Sequence, residues 1–354
     1  MKKRKVLIVD DSAFMRKLVK SFLSSSPSLE VIGFARNGQD AIEKVKEYQP
    51  DVITMDVEMP KMNGLKALKV IMEEYPIPTV MLSSTTDEGT ENTMKAFEIG
   101  AIDFVAKPSG TISLDLDKIK DELIDKVENA SKVQISKIIK HYGHKANQFE
   151  NKTNMPPIVE KWNKEKLICI GTSTGGPRAL QEVLTVLPSS INAPILIVQH
   201  MPAGFTKSLA QRLNTISSIE VKEAESGEII KKGIAYLAPG GYHLTVEETM
   251  EGLKVVLDNI KPSRNGHRPS VDILFESVSK LLNVQKIAVV MTGMGSDGTK
   301  GLVKLKQKGD SKVIAESKET SIVYGMPKAA IEANVVDHVE KLGNIAHSVM
   351  KYMP

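Results

Sequence analysis

Residues 166–180, KLICIGTSTGGPRAL, decide how the rest of the chain is read. The apolar run at 167–170 ends in the small-residue elbow GTSTGG, and Pro177 follows where proline opens helices well. Strand, tight glycine turn and helix form the first βα unit of a parallel sheet. Ligands of such sheets gather beyond the carboxyl ends of the strands. Ser173 occupies the tightest point, where a dinucleotide-binding loop carries glycine. It can be a nucleophile, a phosphate ligand or a small residue that fits a turn.

Outward from the elbow, the same half of the chain repeats the pattern. PILIVQHM (194–201), KIAVVMT (286–292) and SKVIAES (311–317) read as further strands. From EVKEAES to LKVVLD (220–258) the pattern is one of shorter strands turning at Pro239–Gly240–Gly241 and Glu251–Gly252, a hairpin insertion. A serine hydroxyl needs a base. Of seven histidines, His200 ends the run PILIVQ on the edge that presents Ser173. His141 and His144 fall in a polar stretch, and His338 and His347 in a C-terminal region expected to be helical. His243 heads a hairpin strand and His267 sits in the loop SRNGHRP; both can approach the cleft, but neither ends a core strand. An acid must fix the tautomer of the base and stabilise its imidazolium. Asp297, just past KIAVVMT, is the candidate, its plainer role being to cap the helix DGTKGLVKLKQ.

Two other outputs compete with hydrolysis. GMGSDG at 293–298 is a G-x-G-x-x-G after a strand, and Glu316 ends the next strand about 20 residues on, as a dinucleotide fingerprint asks. The motif lies late in its domain, however, and Asp297 would repel a pyrophosphate. A DNA-binding output needs a compact helical module, whereas this half reads as α/β. Hydrolysis uses more of the residues. GTSTG matches the nucleophile-elbow pattern, which presents a serine beside a helix N-terminus that favours a developing anion.

Residues 1–110 carry a second alternation: KVLIVD (5–10), LEVIGFA (29–35), DVITMD (51–56), PTVMLSS (78–84) and DFVAKP (103–108), separated by amphipathic stretches such as SAFMRKLVKSFL (12–23) and DAIEKVKEY (40–48). Five buried strands alternating with helices predict a doubly wound parallel sheet. Asp10, Asp11, Asp56, Ser83 and Lys107 all fall at its strand ends. Three converging carboxylates repel one another unless a cation lies among them, and oxygen ligands of this kind suit Mg2+. Residues 115–140 read as a charged amphipathic helix, and 141–165 as a polar linker containing Pro156–Pro157.

The chain of 354 residues is 41% hydrophobic and 25% charged with a net charge of +4, a globular composition without a basic segment suited to nucleic acid. The apolar stretch after MKKRK is too short for a signal peptide, and no run is of transmembrane length. The lone Cys169, inside LICI, fits a reducing cytoplasm and a buried structural thiol. The domains expected are 1–125, a linker 126–165, and 166–354: two doubly wound α/β domains, the second mainly parallel with the hairpin insertion.

The DD pair at 10–11, MDVEMPKMNG (55–64), SS (83–84) and GAIDFVAKP (100–108) make the first domain resemble a two-component response-regulator receiver. That resemblance implies phosphorylation of Asp56 by a histidine kinase, Mg2+ among Asp10, Asp11 and Asp56, and phosphoryl binding by Ser83 and Lys107. Phe104 stands where the family's switch aromatic lies. IGTSTGGP (170–177), VQHMP (198–202), YLAPGGYH (236–243), NGHRPSVDILF (265–275), MTGMGSDG (291–298) and VYGMPKAA (323–330) resemble the chemotaxis protein-glutamate methylesterase family. The implied reactions are hydrolysis of glutamyl methyl esters on chemoreceptors and deamidation of receptor glutamines. The implied triad is Ser173, His200 and Asp297, with the Met294 backbone N–H as oxyanion donor and no cofactor. Thr172 stands where many members carry alanine.

Overall fold

The computed structural model describes residues 2–107, 116–135 and 165–353. The chain divides into two compact units, Met1–Phe149 and Glu150–Pro354.

In the first unit β1 (Arg4–Val9), β2 (Leu29–Ala35), β3 (Val52–Asp56), β4 (Thr79–Ser83) and β5 (Asp103–Ala106) form one parallel sheet in the order β2-β1-β3-β4-β5. Helices α1 (Ala13–Leu23), α2 (Gly38–Tyr48), α3 (Gly64–Glu74), α4 (Asp87–Ile99) and α5 (Leu116–Ala130) connect or follow the strands. The central strands are buried along their length because helices cover both faces, which is why they read as unbroken apolar runs. Ser12, Asn37, Asn63 and Thr86 each accept a backbone N–H of the helix they precede, so four of the helix starts are set by local capping. Register aligns the strand ends: Asp56 pairs with Leu82 and Ser83 with Ala106. The expected break after residue 125 falls within α5. Residues 136–164, with His141, His144 and most of the expected linker, lie outside the described residues.

In the second unit β6 (Glu165–Thr172), β7 (Ile195–Gln199), β8 (Glu220–Glu223), β9 (Ile234–Leu237), β12 (Val284–Val290), β13 (Ser311–Glu316) and β14 (His338–Glu340) form a parallel sheet, ordered β14-β13-β12-β6-β7-β9-β8. The hairpin of β10 (His243–Thr249) and β11 (Gly252–Asp258) is antiparallel and separate. Helices α6 (Gly176–Leu184), α7 (Phe205–Ile216), α8 (Val271–Val278), α9 (Thr299–Gln307), α10 (Met326–Glu332) and α11 (Leu342–Met350) complete the unit. From β6 the chain winds out through β7 to one edge and returns to the opposite side at β12. The strand order therefore reverses beside β6, and the crevice of a doubly wound sheet opens at such a point.

One expectation needs correction: His338 starts the edge strand β14 rather than lying in a helix, whereas His347 is in α11. A strand of three residues, pairing only with β13, is too short to show a period of two in sequence.

Candidate active site and phosphoacceptor site

Three sequence-predicted residues follow β6, β7 and β12, the strands at the reversal point of the second sheet. Ser173 follows β6, and its backbone is fixed from two sides: its N–H donates to Thr292 O at 3.0 Å and its carbonyl accepts from Gly176 N at 2.7 Å. The chain after β12 passes so close that a Cβ on Gly293 would stand 2.8 Å from Ser173 Cβ. Glycine is required there.

His200 follows β7, extending its ladder by one bond from its N–H to Thr172 O at 3.2 Å. Its Nε2 is 2.8 Å from Asp297 Oδ2, while its Nδ1 is buried without a hydrogen-bond partner. A carboxylate can only accept, so Nε2 carries a proton, and in the neutral imidazole Nδ1 is then the nitrogen with the free lone pair. Ser173 Oγ and His200 form no hydrogen bond among the described residues.

Asp297 does not cap the helix that follows it. Gly298 takes that place without a side-chain bond, and the carboxylate of Asp297 reaches instead to the start of α8. There it accepts Val271 N at 2.7 Å, Asp272 N at 3.2 Å and the Ser270 hydroxyl at 2.9 Å. Asp272 of α8 in turn accepts Gly301 N of α9 at 2.7 Å, so carboxylates tie α8 both to the loop before α9 and to α9 itself. Burial pushes the Asp297 carboxyl upward, but the bonds from His200, Val271 and Ser270 outweigh it and hold the group well below the usual carboxylate range. Asp297 is thus a fixed anion beside an imidazole.

His267 lies flat on His200, with ring centroids 3.8 Å apart and planes within 9°. It is carried by a two-residue turn in which Asn265 and Gly266 both have positive φ, closed by Arg264 N to His267 O and His267 N to Arg264 O. Arg264 ties the turn to α8 through Glu276 at 2.8 Å. The dipeptide Asn-Gly signals this hairpin, but nothing local says which ring it would cover. Ser270, Thr292 and Gln199 also serve the site, and sequence reading did not single them out.

Glu316 is buried and accepts Thr292 N at 2.8 Å. Its carboxylate is committed to the loop behind the elbow, where no ribose could meet it, so the dinucleotide reading of GMGSDG loses its acidic residue. His243 is buried at the head of β10, with Nε2 3.1 Å from Pro262 O. Cys169 is fully buried, and burial pushes its thiol upward, as befits a structural residue.

The strand ends of the first unit present a different arrangement. Single carboxylate oxygens of Asp10, Asp11 and Asp56 lie within 4.8 Å of one another, Asp10 and Asp56 buried and Asp11 exposed. Lys107 Nζ stands 2.6 Å from Asp56 Oδ2 and 3.4 Å from Asp10 Oδ2. Burial raises both buried carboxyls, Asp56 to about 6, despite the nearby ammonium. Asp10 Oδ2 is buried without a hydrogen-bond partner. An all-oxygen donor set in which one ammonium faces three carboxylates fits a hard divalent cation.

Ser83, in contrast, faces α4. Its hydroxyl donates to Gly89 O at 2.9 Å and accepts from Thr93 Oγ1 at 2.8 Å. Phe104 is buried edge-on against Phe97, with Lys126 Nζ 5.1 Å from its ring centroid and 2.7 Å from its carbonyl oxygen. Among the described residues no helix is long and apolar enough to cross a membrane.

The family model described as CheB methylesterase matches residues 168–349, and that of the response regulator receiver domain matches residues 6–116. A protein-glutamate methylesterase/protein-glutamine glutaminase of Geobacillus kaustophilus is 54% identical over 352 residues, covering 99% of each chain. The protein of that name from Bacillus subtilis is 50% identical over 357 residues, covering 98% of this chain and 97% of its own. Among solved structures, the catalytic domain of Thermotoga maritima CheB methylesterase is 44% identical, with a TM-score of 0.51. That match covers 53% of this chain and 98% of the Thermotoga chain.

Proposed function

Because the chain belongs to the CheB methylesterase family, we propose that it hydrolyses methyl esters of glutamyl side chains on chemoreceptors and deamidates receptor glutamines. A receiver domain regulates that hydrolysis. The observation that carries the reading is the His200–Asp297 pair at 2.8 Å, with an unpartnered His200 Nδ1, at the strand ends that also present Ser173.

In this reading Nδ1 takes the Ser173 proton as Oγ attacks the ester carbonyl, and Asp297 steadies the resulting imidazolium. The Met294 N–H and the start of α6 receive the charge that develops on the carbonyl oxygen. As the tetrahedral anion collapses, His200 gives the proton to the ester oxygen, which leaves as methanol, or to the amide nitrogen of a glutamine, which leaves as ammonia. Water, deprotonated by the same Nδ1, then releases the glutamate and frees Ser173.

In the receiver, Asp56 accepts the phosphoryl group from a histidine kinase, and Asp10, Asp11 and Asp56 would hold Mg2+. The ion would supply positive charge against the phosphoryl oxygens. Lys107 would pair with those oxygens, and Ser83 would turn from Gly89 O to meet them. With a histidine kinase as phosphodonor and chemoreceptors as substrate, the protein acts in the cytoplasm.

Released methanol from methyl-labelled receptor membranes tests the assignment. Ser173→Ala and His200→Gln should each fold and lose activity by thousands-fold or more. Retention of a tenth of wild-type activity by folded Ser173→Ala would refute Ser173 as nucleophile.

A further inference from the structure

We propose that Gln199 is a positioning residue that holds the nucleophile and the base in one alignment, a role that rests on the assignment of Ser173 and His200 above. Gln199 is the last residue of β7 and is 3% exposed. Both hydrogens of its Nε2 are used: one reaches the Ser173 carbonyl at 3.0 Å, the other the His200 carbonyl at 3.1 Å. Its Oε1 accepts the hydroxyl of Thr172. One planar amide therefore joins the nucleophile, the residue before it and the base.

The strands explain why such a link is needed. Thr172 and Gln199 are the last paired residues of β6 and β7. Beyond them the backbone contributes a single bond, His200 N to Thr172 O at 3.2 Å, because the chain at Ser173 turns away into the elbow. The amide continues the ladder where the main chain cannot. Its orientation is determined: carbonyls only accept and must face Nε2, while the Thr172 hydroxyl donates to Oε1. A flip would break both bonds to the carbonyls of Ser173 and His200.

Gly176 belongs to this arrangement. A Cβ there would run into Gln199 Oε1 and Thr172 Oγ1, so glycine at 176 makes room for the amide. The resting site has no Ser173–His200 hydrogen bond, and the relative placement of the two strand ends decides whether one can form when substrate arrives. Misplacement by about 1 Å is enough to cost on the order of a hundredfold in rate.

The test uses the full chain and receptor membranes. Gln199→Met keeps length and apolar volume but removes all three bonds; Thr172→Val keeps Gln199 and removes only the bond to its Oε1. The readouts are kcat and KM for methanol release, thermal unfolding, and the rate at which phenylmethanesulfonyl fluoride modifies Ser173. That reagent is small enough to bypass receptor docking.

Gln199→Met should lower kcat by about 10–100-fold with KM within about twofold of wild type, and slow the sulfonylation in parallel. Thr172→Val should show the same pattern at about two- to fivefold. A kcat within about twofold of wild type for folded Gln199→Met, or a change confined to KM, would overturn the proposal. If Gln199→Met does not fold, Thr172→Val decides, and an unchanged kcat overturns it. Ser173→Ala is run alongside: activity in that variant would remove the site assignment itself, which is a different failure.

Discussion

Asp297 and Asp56 both stand at carboxyl ends of parallel sheets, and neither is more than 3% exposed, yet their carboxyls move in opposite directions. Burial is the largest influence on each, and by itself it raises both. At Asp297 the protein answers it with two backbone N–H groups, a hydroxyl and an imidazole, so the charge is held ready. At Asp56 the answer is incomplete. Lys107 and one backbone N–H leave the carboxyl raised to about 6, next to a second raised carboxyl at Asp10. A site that works in every turnover is preorganised from within. In the proposed roles, a site that must exist in two states would leave part of its electrostatics to a cation and a phosphoryl group.

Asp297→Asn attacks the finished side of that contrast. An asparagine oxygen can still accept some of the four bonds, but it no longer supplies the charge that stabilises imidazolium. Esterase activity should fall by about 10²–10⁴-fold, less than for loss of Ser173 or His200. Unchanged methanol release would reduce Asp297 to a cap of α8.

Asp56→Asn attacks the unfinished side. Basal hydrolysis should persist, while stimulation by a small phosphodonor with Mg2+, expected at about 5–150-fold, should vanish. Chelation of divalent ions should abolish the same stimulation in the wild type and spare basal turnover. A stimulated Asp56→Asn protein would detach the receiver cluster from control of the esterase.

His267→Gln sharpens the comparison within the catalytic edge. It removes the ring stacked on His200 but no hydrogen bond of the His200–Asp297 pair. The expected loss is several-fold in kcat/KM, against near-abolition for His200→Gln. If the order were reversed, His267 would be the base.

Much of both sites is legible in the sequence because their residues follow strands. Apolar runs such as LICI and ILIVQ, ended by glycine or polar residues, mark strand ends, and parallel topology gathers strand ends on one edge. Ser173, His200, Asp297 and the Asp10–Asp11–Asp56 group are found that way, and the family resemblance then assigns their roles. The plainer reading of Asp297, a cap for its own helix, fails because Gly298 forms the turn and leaves the carboxylate pointing to α8. The helix beginning at Val271 with Ser270 before it is visible locally, but its use as the support of Asp297 is not.

By itself, then, the sequence determined the two α/β units, the hairpin insertion and the residues at the strand ends, since helix and strand periodicity and glycine turns act over a few residues. Tertiary structure alone decided what touches what at those ends. Gln199 reaches Ser173 across 26 positions, Ser270 reaches Asp297 across 27, His200 meets Asp297 across 97, and Thr292 holds Thr174 across 118. Hydrogen bonds at such separations form only when strand order and register bring distant side chains within about 3 Å, a requirement with no local pattern to betray it.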